Sequence, residues 1–289
     1  MTAQPQTPVT ILGGYLGAGK TTLVNHLLRN ANGKRLAILV NEFGELPIDA
    51  DLIEAQDDDI ISLSGGCVCC SYGNDLIMAM VDMARMEPRP DHIILEASGV
   101  ALPGAISASL SLLDDYSVDG VIVLADAETV RERATDKYMS DTVLRQLDEA
   151  DIILLNKADI VTADELAQTK DWLAQVSGDV PIVEASHAKV PPAIVLQDFE
   201  RIDEAHEGQP SHAATHFQTQ FIAVDEPVDP AEFASQLIEG EPNLVRAKGF
   251  LKTADGMQTL QIVGRRAQFT QAPPDVKPGI VTITVRRPD

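Results

Sequence analysis

Short apolar runs alternate along this chain with longer amphipathic stretches. The runs cover residues 9–12, 36–40, 60–63, 92–95, 121–124, 152–155 and 181–183. Several are rich in β-branched residues and apolar on both faces, as strands buried in a parallel sheet are. Between them, residues 21–29, 74–86, 140–149 and 163–177 read as helices. Strand–helix alternation predicts a parallel α/β sheet with right-handed crossovers.

The pattern changes after about residue 200. Residues 203–216 combine Glu, Gly, Gln, Pro and Ser with three histidines and little apolar content, and they read as a linker. Strand-like runs follow at 217–224, 244–251, 259–263 and 280–285, with a short helix near 230–238. This predicts a smaller α+β unit with hairpin-like strands. The expected division is therefore 1–202, a linker at 203–216, and 217–289.

Composition narrows the function. With 289 residues and 45% hydrophobic content, the chain can fill one large core and one small one. A formal charge of −22 repels nucleic acid and anionic lipid, so neither is an expected partner. The first residues carry no basic or apolar leader pattern, and the apolar runs are too short to span a bilayer. A cytoplasmic protein is expected. The three cysteines all fall between positions 67 and 70, which is no disulfide framework and suits a metal or redox site in a reducing compartment.

Residues 14–21, GYLGAGKT, fit the phosphate-loop pattern G-x-x-x-x-G-K-[ST], after a strand and before a helix. The glycines Gly14, Gly17 and Gly19 let backbone N–H groups turn toward phosphates. Lys20 is expected to bridge β- and γ-phosphates, and the Thr21 hydroxyl to ligate Mg²⁺. The sheet is then expected to be that of a P-loop NTPase, flanked by helices. Asn156, Lys157 and Asp159 form N-K-A-D directly after the run at 152–155. The Asp159 carboxylate can accept from guanine N1–H and N2–H₂, whereas adenine would leave it facing a lone pair. GTP is therefore the expected nucleotide. Glu96, with Gly99 three residues on, ends the run at 92–95. Its carboxylate is expected to position the attacking water or to serve Mg²⁺ through a water, while the Gly99 N–H meets the γ-phosphate.

Residues 65–70, GGCVCC, lie between an apolar strand and a helix N-terminus, where thiolate pKa values fall. Cys67 and Cys69 can point the same way, and adjacent Cys70 generally points elsewhere. A tetrahedral ion would then need a further carboxylate or histidine. Redox chemistry and simple packing are the competing readings. Residues 41–45, NEFGE, follow the second strand, where a switch loop would sense γ-phosphate and Mg²⁺. Glu42 could face Mg²⁺ and Glu45 a thiolate-bound metal; a solvated acidic loop is the alternative. His206, His212 and His216 read as linker residues, His26 and His92 as structural, and His187 as lying just past a strand near the guanine.

Together, GYLGAGKTT at 14–22, NEFGE at 41–45, GCVCC at 66–70, EASG at 96–99 and NKAD at 156–159 resemble the CobW-type metallochaperone GTPases. RAKGF at 246–250 is similar to the RxKG strand of that family's C-terminal domain. The resemblance covers nearly the whole chain. It implies GTP-driven delivery of zinc, cobalt or another divalent metal to a client protein that docks through the C-terminal domain. It also implies Cys67, Cys69, Cys70 and Glu45 as metal residues, and Gly17, Ala18, Gly19, Lys20, Thr21, Thr22, Glu42, Glu96, Asn156, Lys157 and Asp159 as nucleotide residues. Two departures stand out. Leu102 occupies a position where the family often carries Asp, and no long His-rich tract follows. A zinc-buffering or zinc-sensing module, with nucleotide only setting affinity, is the rival reading, and a thiol-redox regulator the third.

Overall fold

The computed structural model describes residues 6–31, 33–40, 60–63, 74–196, 217–273 and 276–285. Two compact units emerge, one from residues 1–178 and 184–189, the other from 179–183 and 190–289.

The apolar runs become strands β1 (Thr7–Gly13), β2 (Leu36–Val40), β3 (Ile60–Leu63), β4 (His92–Glu96), β5 (Tyr116–Asp126), β6 (Ile152–Asn156) and β7 (Ile182–Glu184). The sheet order is β3-β2-β4-β1-β5-β6-β7, and the six strands from β3 to β6 run parallel. Val9, Ile11 and Leu12 of β1 and all of residues 152–155 are fully buried. That explains why these segments lack polar alternation. The flanking helices are α1 (Lys20–Arg29), α2 (Asn74–Ala84), α3 (Pro103–Leu110), α4 (Val130–Arg133), α5 (Ser140–Asp148) and α6 (Ala163–Ser177). They bury one stripe each, such as Leu23, Val24 and Leu27 of α1 and Val143 and Leu147 of α5. Helix α6 starts at a capping box, in which the Thr162 hydroxyl accepts from the Glu165 N–H and the Glu165 carboxylate accepts from the Thr162 N–H.

Parallel register lines up the strand ends. Leu12 pairs with Glu96, Glu96 with Val40, and Asp126 with Asn156. The carboxyl edge of the sheet therefore collects the loops after β1, β4, β5 and β6, which is where open α/β sheets bind ligands. Deeper in the sheet, β5 carries one extra residue opposite β1: Val118 pairs with Val9 and Gly120 with Thr10. Asp119 is the bulged residue, and the Thr10 hydroxyl donates to its carboxylate at 3.3 Å. A hydroxyl that gives its one proton to Asp119 must accept from His92, whose Nε2 lies 2.8 Å away. His92 is thus a buried structural residue.

The second unit holds α7 (Ala193–Leu196), β8 (Phe217–Ile222), α8 (Pro230–Gly240), β9 (Leu244–Thr253), β10 (Gly256–Val263), β11 (Arg266–Gln271) and β12 (Gly279–Val285). Its sheet has order β11-β10-β9-β12-β8, with every pairing antiparallel. Helix α8 begins with Asp229, which caps the Glu232 N–H, and Pro230 at the first turn. Its apolar stripe joins Ala247, Leu251, Leu260, Ile262 and Ile280 in one core. Arg246 is 1% exposed and donates to the Ile194 and Val195 carbonyls at 2.6 and 3.1 Å, tying α7 to β9. Strand β11 and helix α3 were not legible as elements in the sequence. Among the described residues, no helix is long and apolar enough to cross a membrane.

Candidate nucleotide site

Strand β1 ends at Gly13 and α1 begins at Lys20, so residues 14–19 form a loop at the carboxyl edge of the sheet. Gly14, Gly17 and Gly19 hold φ of 126°, 78° and 106°, a region that side chains rarely enter. Gly19 is the N-cap and offers no side chain, so the first-turn N–H groups of α1 can serve an anion. Ala18 is buried. The Lys20 ammonium is also buried and donates across the loop to the Gly14 carbonyl at 2.8 Å. Thr22 lies one residue further into α1 than Thr21 and is exposed, whereas Thr21 is half-buried.

Glu96 is the last residue of β4 and only 3% exposed. The Thr21 hydroxyl donates to its Oε1 at 3.1 Å. A hydroxyl beside a carboxylate is the hard oxygen donor set that Mg²⁺ takes, with waters and phosphate oxygens filling its other positions. Thr21 and Glu96 therefore fit that ion. The Ala97 N–H donates to the Leu12 carbonyl at 2.9 Å, fastening the loop after β4 to the phosphate loop. Gly99 presses against that loop so closely that a Cβ would lie 2.6–2.8 Å from Leu16 atoms, its backbone N among them.

The NKAD segment acts as a junction. The Asn156 amide donates to the Ala18 carbonyl at 2.9 Å and accepts from the Ala188 N–H at 2.8 Å. It thereby joins the phosphate loop to the loop after β7. Lys157 has φ of 63°, and its ammonium meets Asp126, at the end of β5, at 2.6 Å. The Ala158 N–H donates to the Ala185 carbonyl at 3.1 Å. Asp159 remains 35% exposed, with His187 Nε2 at 3.5 Å from its carboxylate. His187 and Ala188 both have φ of 53°.

Three contributors escaped the sequence reading. Asp126 ends a strand on a carboxylate, as Glu96 does, and could have been singled out by that position. Arg133 of α4 donates to the Leu16 carbonyl at 2.6 Å and stacks 5.1 Å from the Tyr15 ring centroid. Gln146 of α5 reaches the loop after β4. Neither carries a sequence signal beyond its helix. Glu42, Glu45, Cys67, Cys69 and Cys70 lie outside the described residues, as do His206, His212 and His216. Among the described residues, no group of three or more His, Cys, Asp or Glu is placed to hold a metal.

Residues 8–184 match the family "CobW/HypB/UreG, nucleotide-binding domain", and residues 217–286 match "Cobalamin synthesis protein cobW C-terminal domain". A protein of Sinorhizobium sp. named zinc chaperone CobW is 33% identical, over 86% of this chain and 82% of its own. The zinc chaperone YjiA of Escherichia coli (strain K12) is 31% identical, over 84% of this chain and 81% of its own. The crystal structure of Zn(II)-bound YjiA GTPase from E. coli aligns with a TM-score of 0.50 at 28% identity, covering 99% of this chain and 96% of that one.

Proposed function

The chain belongs to the CobW/HypB/UreG family of P-loop GTPases, and from that premise we propose that it hydrolyses GTP to control the delivery of zinc to a client protein. The observation that carries the reading is the convergence at one sheet edge of Lys20, the Thr21–Glu96 pair at 3.1 Å and the NKAD junction.

In this reading the uncapped start of α1 and the Lys20 ammonium bind the phosphates. Asp159 accepts from guanine N1–H and N2–H₂; an adenine there would leave buried polar groups unpaired at about 1–3 kcal/mol each. Mg²⁺, when bound, supplies charge neutralisation between the β- and γ-phosphates. The contact with the Thr21 hydroxyl favours a Glu96 that serves Mg²⁺ through a water over one that acts on the attacking water alone. Gly99 offers its N–H to the γ-phosphate end.

Zinc is the cargo. Cys67 and Cys69, with Glu45 and Cys70 as further donors, are its proposed ligands, on the strength of their chemistry and of the zinc chaperones among the relatives. Cobalt accepts similar geometry. Glu42 and Glu45 sit three apart on one short loop. Ordering that loop for Mg²⁺ would prepay part of the ordering needed for zinc, so GTP and zinc should bind with positive coupling of about 5–150-fold. The C-terminal unit is the proposed client-docking part.

The test is zinc affinity, by competition with a chelating dye, in the apo, GDP and non-hydrolysable GTP forms, alongside GTP turnover with and without zinc. Tighter zinc binding in the triphosphate form and zinc-dependent turnover are expected. Equal affinities in all three forms would sink the delivery mechanism and leave a zinc buffer.

A further inference from the structure

Gln146 sits on α5, 1% exposed, and faces the sheet rather than solvent. Its side-chain Nε2 donates to two backbone carbonyls, Gly99 at 3.1 Å and Ala101 at 2.8 Å. A primary amide carries two N–H bonds, and both are committed here to one short loop, the one that leaves β4 immediately after Glu96.

That loop is gripped at several points. Its start is held by the Ala97 N–H on the Leu12 carbonyl, and a turn closes it through the Ala101 N–H on the Ser98 carbonyl, both at 2.9 Å. Its exit into α3 is held by Glu149, at the C-terminal end of α5, which accepts from the Gly104 N–H at 2.8 Å. Between these anchors lies Gly99, the residue with the widest backbone freedom. The Leu16 backbone and side chain close against one side of it. Only an anchored carbonyl can fix the second side, and Gln146 provides it. Tying the Gly99 and Ala101 carbonyls sets the peptide planes that follow Glu96 and the direction in which the Gly99 N–H points.

We propose that Gln146 is a positioning residue for the triphosphate-dependent step. It holds the loop after β4 in the conformation that serves the γ-phosphate end of the site, and it has little bearing on the diphosphate. The inference rests on the nucleotide reading above and extends it to a residue on a helix that lies outside both the phosphate loop motif and the NKAD segment in the chain. Preorganising the loop lowers the ordering that the triphosphate must otherwise impose. The loss of the amide should therefore appear in steps that use Gly99 and Glu96, and not in those that use Lys20, Asn156 and Asp159.

Two variants of the full chain test this. Gln146→Met keeps the length and apolar contacts but has no donor. Gln146→Glu keeps the shape and replaces the donating nitrogen by an acceptor that faces two carbonyls. Each is compared with wild type by calorimetry with GDP and with a non-hydrolysable GTP analogue, by kcat and KM for GTP, and by thermal unfolding. GDP affinity should stay within about twofold, while analogue affinity and kcat fall by roughly fivefold or more, the factor expected for one to two lost hydrogen bonds. An unchanged kcat with unchanged analogue affinity, or equal losses for GDP and the analogue, would overturn the proposal and leave Gln146 as packing. Should one variant not fold, as judged by its unfolding transition, the other decides. Wild-type turnover is the internal control. If wild type does not hydrolyse GTP, the nucleotide reading fails by itself, and the GDP-to-analogue affinity ratio still reads Gln146.

Discussion

Removal of the Asn156 side chain should damage stability and nucleotide binding together. The amide is 3% exposed and bridges two backbone groups of residues that are themselves buried, Ala18 and Ala188. Asn156→Ala deletes a hydrogen bond of 2.9 Å and another of 2.8 Å and strands a carbonyl and an N–H. Each stranded group costs about 1–3 kcal/mol, so a loss of about 2–4 kcal/mol is expected after local relaxation. For a unit of this size that lowers the midpoint of thermal unfolding by roughly 5–15 °C. The phosphate loop also loses its tie to the base side of the site, and GDP affinity should drop about 10–100-fold, because the ligand must then order both loops itself.

Two further substitutions separate the arms of this bridge. Asn156→Asp keeps an acceptor for the Ala188 N–H but sets an oxygen against the Ala18 carbonyl, so it should lose most of the phosphate-loop tie. Gly19→Ala pushes a Cβ to within 2.4 Å of the Asn156 nitrogen, on a residue with φ of 106°. Part of the Gly19→Ala penalty is this collision, and that part vanishes once Asn156 is Ala. The double variant should therefore lose less than the sum of the single losses. Calorimetric GDP titration with differential scanning calorimetry measures all four proteins. An Asn156→Ala protein that melts within about 2 °C of wild type and binds GDP equally well refutes the bridge, since the magnitude argued above is several times larger.

Asp159→Ala should erase a GTP-over-ATP preference of at least about tenfold, the factor that about 1.4 kcal/mol represents, as read by competition binding. Glu96→Gln should bind GTP nearly normally and turn it over far more slowly, whereas Lys20→Ala should lose hydrolysis altogether; steady-state kinetics with binding controls distinguishes the two. Tyr116 donates its phenolic proton to the Met80 carbonyl at 2.6 Å, and burial, then the neighbouring Asp115 charge, against the opposing Arg89, push its pKa from 10 up to about 12. A raised folded pKa means that this contribution is complete below pH 10 and is lost as pH climbs toward 12. Tyr116→Phe should cost about 1 kcal/mol at neutral pH and remove that alkaline component from the stability profile measured by denaturant unfolding.

The parts legible in the sequence are those whose chemistry lies within a few consecutive residues. The buried strands declared themselves because two buried faces leave no room for polar alternation. The phosphate loop did so because its glycines, lysine and threonine are adjacent. Other elements gave weaker signals for identifiable reasons. Strand β11, Arg266–Gln271, lies at the edge of its sheet, and its one apolar face consists of Ala267 and Phe269 alone, too short an alternation to read. Helix α3, Pro103–Leu110, is built largely from Ala, Ser and Gly, and its buried stripe of Pro103, Ile106 and Leu110 holds only two large apolar side chains, too few to mark it in the sequence. Strand β5 begins at Tyr116, ahead of the apolar run at 121, because Asp119 bulges out and Gly120 pairs with Thr10.

The side chains that assemble the site from a distance are hidden for a deeper reason. Arg133 reaches back 117 positions to Leu16, Asn156 reaches back 138 to Ala18, and Gln146 reaches 47 to Gly99. In each case the partner is a backbone carbonyl. Every residue has one, so no side-chain identity at Leu16, Ala18 or Gly99 announces that it will be bound. Asn156 was picked out only because the guanine motif happens to contain it. Gln146 has no such motif and reads as one more position on the inner face of an amphipathic helix. A polar residue there is itself informative, however, since an amide on a buried helical face must find partners or cost stability. The polar exceptions on otherwise apolar helix faces are therefore where a search for loop-positioning residues should begin, and the first question at each is which strand-end loop lies within reach.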